Sequence, residues 1–473
     1  MTVGLYKAIL NSVLGKFAIY IIQFLALAVY SRIYSPQEFG LIAAVQIVVL
    51  FLQLLTEMGF GPAIINEKSL LKRDMESLYG FTLIIGFLGA LGLYFLAAPI
   101  AFFYTNVDII PVVELMAPAV LFSALTIIPL TENIKHARFK TIAAIDILSE
   151  CLTFFAIMYL WKIQVDFLSL ALRPFLFSVC RYLFNIISLY LYGSGFYKLR
   201  FKFEPVRRIA TFSVYQFLFN VMNFFSRNID SILVGRYFGP AILGQYDKAY
   251  QLMRYPLMLT TFAVTPAIQP ILTNYSDDRK LILIEHNKLA MRLLAIALPI
   301  TLFLSINTEE LVLFLFGPQW GAAANYIMIL GISIPIQTMM SSSGAFFQVL
   351  NKPKILFVSG VISSVINICG ISLGVYYHSI DLLCAMIVVT FTINFIITYY
   401  LLFNFCFCNS SIPFYWQLFK VISLSIIPGA IYSFFAIYLK RVDLDAGCSL
   451  VINGVAIALI FIPFLLFIVR RVK

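Results

Sequence analysis

Charge is scarce in this chain. Only 12% of its 473 residues are Asp, Glu, Lys or Arg, and acids are outnumbered by bases 22 to 33. A water-soluble fold of this length needs much more polar surface, which excludes a soluble globular enzyme. Histidine is rarer still. His136, His286 and His378 lie far apart in sequence. The seven cysteines are scattered through apolar runs, and the nearest pair, Cys406 and Cys408, has no His or second Cys pair beside it. No metal site is expected there. Walker A, GxSxG and HExxH runs are absent, so no enzyme signal competes and no cofactor is implied. MTVGLYKAIL lacks a clustered basic region and a small-residue cleavage site, so its apolar run is expected to persist as a first helix.

What the chain has in abundance is apolar length. It is 62% hydrophobic, with a mean hydropathy of +0.95. The runs are too long for the short alternating strands of a β-barrel. They predict an all-α polytopic membrane protein. A crossing needs about 20 apolar residues. Runs broken by charge, Pro or Gly give about fourteen, at 8–31, 41–65, 77–103, 110–131, 141–160, 168–191, 209–235, 241–268, 286–306, 311–340, 355–377, 382–405, 417–438 and 448–469.

Basic residues then alternate between connections. The even connections carry Lys68, Lys72 and Arg73, then Lys135, Arg138 and Lys140, then Lys198, Arg200, Lys202, Arg207 and Arg208. Odd connections carry few. By the positive-inside rule both termini are cytoplasmic. The net charge of +11 then needs no nucleic acid, because anionic lipid at the inner leaflet accounts for it.

One short pattern recurs. RIYSPQEFG at 32–40 and RYFGPAILG at 236–244 share Arg, Pro and Gly at the same offsets, and Pro62 and Pro266 keep that spacing. Each reads as a tight hairpin with Pro opening the second helix. Six spans separate the two, an even number, so both lie on the outer face. The repeat is therefore parallel, about an axis along the membrane normal. It predicts an N-terminal six-helix bundle at 1–196, a basic cytoplasmic linker at 197–208, a second six-helix bundle at 209–408, and two additional helices at 409–473. Bundles so paired bind substrate at mid-membrane and work by alternating access.

Polar residues inside the spans fall at helical spacing, which marks shared faces. On the seventh span they are Gln216, Asn220, Asn223, Arg227 and Asp230; on the eighth, Asp247, Gln251 and Arg254. The repeat maps Lys16 and Gln23 onto Asn220 and Arg227, and Gln53 and Glu57 mark the second span. Asp146 and Glu150 sit one turn apart on the fifth span, and Arg173 and Arg181 share a face of the sixth. Lys16, Gln23, Glu57, Arg173, Arg181, Asn220, Asn223, Arg227 and Arg254 are the expected substrate-cavity residues. Asp146, Glu150, Asp230 and Asp247 are candidates for ion or proton coupling. Arg227 with Asp230, or Arg254 with Asp247, also reads as an ion pair that joins helices. A cationic path suits a phosphate or pyrophosphate head, and the planar guanidinium suits its oxygens.

EFGL at 38–41, TEMGFGPAII at 56–65, ARFKTIAAID at 137–146, NIDSILVGRYFGPAILGQYDKAY at 228–250 and FGPQW at 316–320 together resemble the Wzx-type lipid-linked oligosaccharide flippases. These form the polysaccharide-transporter branch of the multidrug/oligosaccharidyl-lipid/polysaccharide (MOP) superfamily. The resemblance spans nearly the whole chain. It implies an undecaprenyl-pyrophosphate-linked glycan as substrate, for O-antigen, capsule or exopolysaccharide, turned across the bacterial inner membrane. It also implies proton or sodium coupling, with membrane lipids, a polysaccharide polymerase and chain-length machinery as partners. Three alternatives share parts of this pattern. A multidrug exporter of the same superfamily would favour an acidic cavity. A peptidoglycan-precursor flippase also takes a pyrophosphate lipid. A membrane polysaccharide polymerase would carry a long outer loop, which is lacking.

Overall fold

The structure, a computed structural model, describes the backbone at all residues except 1, 59, 68, 194, 273–274, 276–277, 443 and 472–473. Side chains are described outside those positions and outside 2–13, 62, 66, 210–216, 218–219, 223, 259–267, 269–271, 353 and 471. Among the described residues there is no strand. Eleven helices there are long and apolar enough to cross a membrane, and a bent pair makes a twelfth if it is one span. The expected spans at 209–235 and 241–268 include residues outside the described ones. The chain is thus an all-α polytopic membrane protein. It divides into two compact units, Met1–Gly244 and Gln245–Lys473.

The first unit holds α1 (Thr2–Ile33), α2 (Pro36–Glu57), α3 (Phe60–Asn66), α4 (Lys72–Phe95), α5 (Ala97–Tyr104), α6 (Ile109–Lys135), α7 (Phe139–Lys162), α8 (Leu168–Ala171), α9 (Arg173–Leu191) and α10 (Glu204–Phe238). It closes with the first residues of α11 (Pro240–Leu272). Its centre is α6, which packs on α2, α4 and α9 and fully buries Val112, Val113, Met116, Ala119 and Val120. Small side chains let neighbours come close. A Cβ on Gly86 of α4 would sit 2.6 Å from Ala124 of α6, and one on Gly15 of α1 2.5 Å from Ala143 of α7. Along α10, Phe224 and Phe225 each lie 5.3 Å from Phe51 of α2.

The repeated pattern forms two hairpins, each ending a helix and starting another. Ser35 caps α2: its backbone N–H donates to Glu38 Oε2 at 2.6 Å, while its hydroxyl accepts from the Glu38 N–H. This is a capping box, followed by Pro at the first helical position, where a missing N–H costs nothing. In the second copy Gly239 takes φ 85°, which ends α10, and Pro240 opens α11. The two copies also touch. A Cβ on Gly40 would lie 1.7 Å from the Pro240 carbonyl oxygen, and one on Gly244 would lie 2.0 Å from the Pro36 carbonyl oxygen. Each glycine is the bare surface on which the other copy's proline carbonyl rests.

The second unit continues α11 and holds α12 (Arg279–Leu315), α13 (Gly321–Gly331), α14 (Ile334–Val349), α15 (Pro353–Tyr376), α16 (Ile380–Leu401), α17 (Ile412–Leu439) and α18 (Ala446–Arg471). Helices α13, α14, α17 and α18 pack on α12. His286 of α12 is core: it is fully buried among Phe346, Tyr399, Phe403, Phe407 and Phe414, with ring centroids 4.8 to 5.7 Å away. The expected break between spans at 286–306 and 311–340 is instead a kink. Helix α12 runs on through Asn307, whose backbone leaves the helical region at φ −107° and ψ 17°. The Asn307 amide donates to the Phe303 carbonyl at 2.9 Å, and the Lys440 ammonium donates to the Ile306 carbonyl at 3.0 Å. Carbonyls loosened by the bend therefore keep partners, which a break in apolar surroundings would deny them. The expected span at 311–340 becomes the bent pair Pro318–Gly331 and Ile334–Val349, angled by 57°.

Candidate functional site

Two ion pairs bridge α7 and α9 inside the first unit. Arg173 Nη2 donates to Glu150 Oε1 at 2.8 Å, and Arg181 Nε donates to Asp146 Oδ1 at 2.7 Å. The helices run antiparallel, so one turn up α7 meets two turns down α9, within reach of the long arginine side chains. Glu150 lies eleven residues (150 − 139) into a 24-residue span, roughly 16 Å along its axis, about mid-depth in a ~30 Å core. The two sides of each pair differ in exposure. The Glu150 side chain is 1% exposed against 37% for Arg173, and Asp146 is 21% exposed against 31% for Arg181. Glu150 is buried behind an accessible Arg173, while Asp146 and Arg181 are both half-buried. An exposed guanidinium in a span faces polar surroundings, because hydrocarbon would penalise it.

Other groups join this cluster. The Arg173 guanidinium lies 5.9 Å from the ring centre of buried Tyr30 on α1. Lys16, exposed, follows Gly15, whose packing on Ala143 brings that turn of α1 beside the helix carrying Asp146. Gln23 is half-buried on the same helix. Thus α7 and α9 bring Asp146, Glu150, Arg173 and Arg181 together, α1 adds Tyr30 beside Arg173, and Lys16 stands about 21 Å further along α1, next to the turn that packs on Ala143. Glu57 ends α2, where a Cβ on Gly61 would lie 3.7 Å from its carboxylate oxygen and 3.6 Å from Thr131 of α6.

The remaining expected residues stand elsewhere. On α10, Asn220 is half-buried, Arg227 is exposed, and buried Asp230 accepts the Ser231 N–H at 2.8 Å. The Asn223 and Gln216 side chains lie outside the described residues. In the second unit Asp247 accepts from the Gln251 amide, and exposed Arg254 lies 5.9 Å from the Tyr250 ring centre.

The second unit holds one arrangement the sequence did not predict. Lys248 is fully buried, with its ammonium 5.3 Å from the Trp320 ring centre and 5.8 Å from that of Phe316. Gln245, one turn earlier, donates to the Gln319 carbonyl at 2.8 Å and accepts the Ala323 N–H at 2.9 Å. The stretches GQYDKAY and FGPQW are therefore one structural joint, in which a cation–π contact and the hydrogen bonds of the Gln245 amide hold α11 to the turn after α12. Its only sequence signal was that both stretches belonged to the same resemblance.

Residues 29–325 match the family model described as "Polysaccharide biosynthesis protein". The chain belongs to this family. Among its relatives is the teichuronic acid biosynthesis protein TuaB of Bacillus subtilis, 24% identical over 76% of this chain and 74% of its own. Another is the succinoglycan biosynthesis transport protein ExoT of Rhizobium meliloti, 23% identical over 77% and 73%. Of solved structures, the fold is similar to the lipid II flippase MurJ in an inward closed conformation. The TM-score is 0.77 and the identity 16%, over 96% of this chain and 98% of that one.

Proposed function

We propose that the protein flips undecaprenyl-pyrophosphate-linked oligosaccharides across the bacterial inner membrane by alternating access, with both termini cytoplasmic. Membership of a polysaccharide biosynthesis family and a flippase fold support this reading, and the paired charges of α7 and α9 carry it at the level of chemistry. At rest each guanidinium is neutralised by a carboxylate, so no isolated charge sits in a low-dielectric span. Each arginine has five N–H donors, and its side chain is about a third exposed beside its acid. A pyrophosphate can therefore be gripped by Arg173 and Arg181 in exchange for Glu150 and Asp146. The displaced carboxylates are then free to take up a proton or sodium ion, which links headgroup binding to coupling. The step moves the head and leaves every covalent bond intact.

The moving bodies in this reading are the six-helix bundles 1–196 and 209–408, joined by the linker 197–208, with 409–473 as an appendage. A polymerase and its chain-length machinery would take the product at the outer face. In this reading Lys16, Gln23, Glu57, Asn220 and Arg227 of the first unit meet the sugar head, and Arg254 is the residue of the second unit with the same task. Deleting the gene should abolish the surface glycan and raise the pool of lipid-linked repeat units. An unchanged pool combined with altered drug sensitivity would replace this reading with that of an exporter.

A further inference from the structure

We infer that residues 192–208 form an interfacial strap that docks on the anionic lipid surface of the inner leaflet. Span α9 ends at Leu191, and residues 195–203 then run without helix to the start of α10. Apolar side chains do not retreat along this stretch. Tyr192, Phe196, Leu199, Phe201 and Phe203 are between 53% and 65% exposed. Basic side chains alternate with them: Lys198, Lys202 and Arg207 are exposed, while Arg208 is shared by Glu204 at 3.1 Å and Asp74 at 3.7 Å. Exposed aromatics interleaved with lysines, beginning at the very end of a membrane span, match the headgroup layer, where rings sit at the apolar boundary and ammonium groups reach phosphates.

The strap is fixed rather than loose. The Tyr197 hydroxyl donates to Glu132 of α6. Arg200 pairs at 2.7 Å with the buried Glu76 of α4. The Arg200 carbonyl lies over Gly80, where a Cβ would come within 2.1 Å of it. Phe196 stacks on Tyr190 at 5.5 Å, and Phe203 meets Phe81 edge-on at 5.8 Å. With Tyr197 and Arg200 committed inward, more than half of the surface of Tyr192, Phe196, Leu199, Phe201 and Phe203 stays exposed, which suits an external apolar partner. Charge complementarity selects the anionic leaflet: 196–208 contains five basic residues and one acid, Glu204. The strap lies outside the ion-pair cluster, so its failure and the failure of the transport reading are separable.

The test uses the full chain in liposomes of phosphatidylcholine, with or without phosphatidylglycerol. Exposed Cys369, Cys408 and Cys448 are replaced by serine, and a nitroxide is placed through Leu199→Cys. Power saturation should show the label more accessible to oxygen than to a water-soluble nickel chelate, and more so with phosphatidylglycerol. The triple variant Lys198→Gln, Lys202→Gln, Arg207→Gln should lose that added effect while keeping its yield of reconstituted protein. A label as open to nickel as one on the outer turn at Asn106, in both lipids, overturns the inference. That result would make a soluble protein the occupant of the strap. A triple variant that retains the phosphatidylglycerol effect also overturns it.

Discussion

Gly40→Ala is expected to lower surface glycan about tenfold or more at normal protein level. The new methyl would stand 1.7 Å from the Pro240 carbonyl oxygen, and backbone cannot swing aside as a side chain can. The two hairpins must separate by more than an ångström, which costs about 1–3 kcal/mol in a packed contact. Each 1.4 kcal/mol is a factor of about ten in the equilibrium between touching and parted hairpins. In the transport reading the two hairpins belong to different six-helix bundles, so a bias of that size in their contact should slow the exchange between states. Gly244→Ala meets the Pro36 carbonyl at 2.0 Å and should behave alike. The double variant should be little worse than either single one, because the first methyl already opens the contact that the second would meet. Gly92→Ala is the control: a Cβ there meets nothing within 4 Å. Normal glycan from Gly40→Ala, or strictly additive losses, would show that the hairpin contact plays no part in transport.

The second large effect concerns Arg173 and Glu150. Arg173→Ala alone strands a carboxylate that is 1% exposed. Breaking a buried pair costs about 3–5 kcal/mol, and the 37% exposure of Arg173 places this case at the lower end. Protein level should therefore fall together with glycan, which makes the single variant uninformative about transport. Arg173→Met combined with Glu150→Gln removes both charges, and its protein level should recover. Its glycan should stay low, because the exposed donor edge is gone. Recovery of both, read by immunoblot and glycan staining, would make the pair a structural link and nothing more. The Arg181 and Asp146 pair is more exposed on its acid side, so a smaller loss of protein is expected there.

Sequence alone carried the all-α membrane class, most of the spans and the hairpins, because each is a local pattern. Ser35, Pro36 and Gly239 set their turns through their own capping and backbone preferences. Equal spacing of Gly40 and Gly244 showed that the hairpins correspond but not that they cross, since a contact about two hundred residues apart has no local signature. Asp146 with Glu150 and Arg173 with Arg181 were visible as two separate stripes. Their pairing depends on the antiparallel register of α7 against α9, which tertiary packing decides and no local pattern records. Asn307 beside Glu309 and Glu310 read as the end of a span. The helix survives there because Asn307 and Lys440 cap carbonyls that the bend frees, and Lys440 comes from more than a hundred residues away. Lys248 had no signal of its own in the sequence, and only the fold brings Trp320 and Phe316 to it.

The most direct measurement is flipping by the purified full chain in liposomes. Fluorescent undecaprenyl-pyrophosphate-linked oligosaccharide is loaded in both leaflets, and a membrane-impermeant quencher is added outside. The wild-type chain should expose the inner pool, so that nearly all fluorescence is lost. The Arg173→Met, Glu150→Gln variant should leave about half, as empty liposomes do. Half remaining with the wild-type chain, under both a proton and a sodium gradient, would contradict the account.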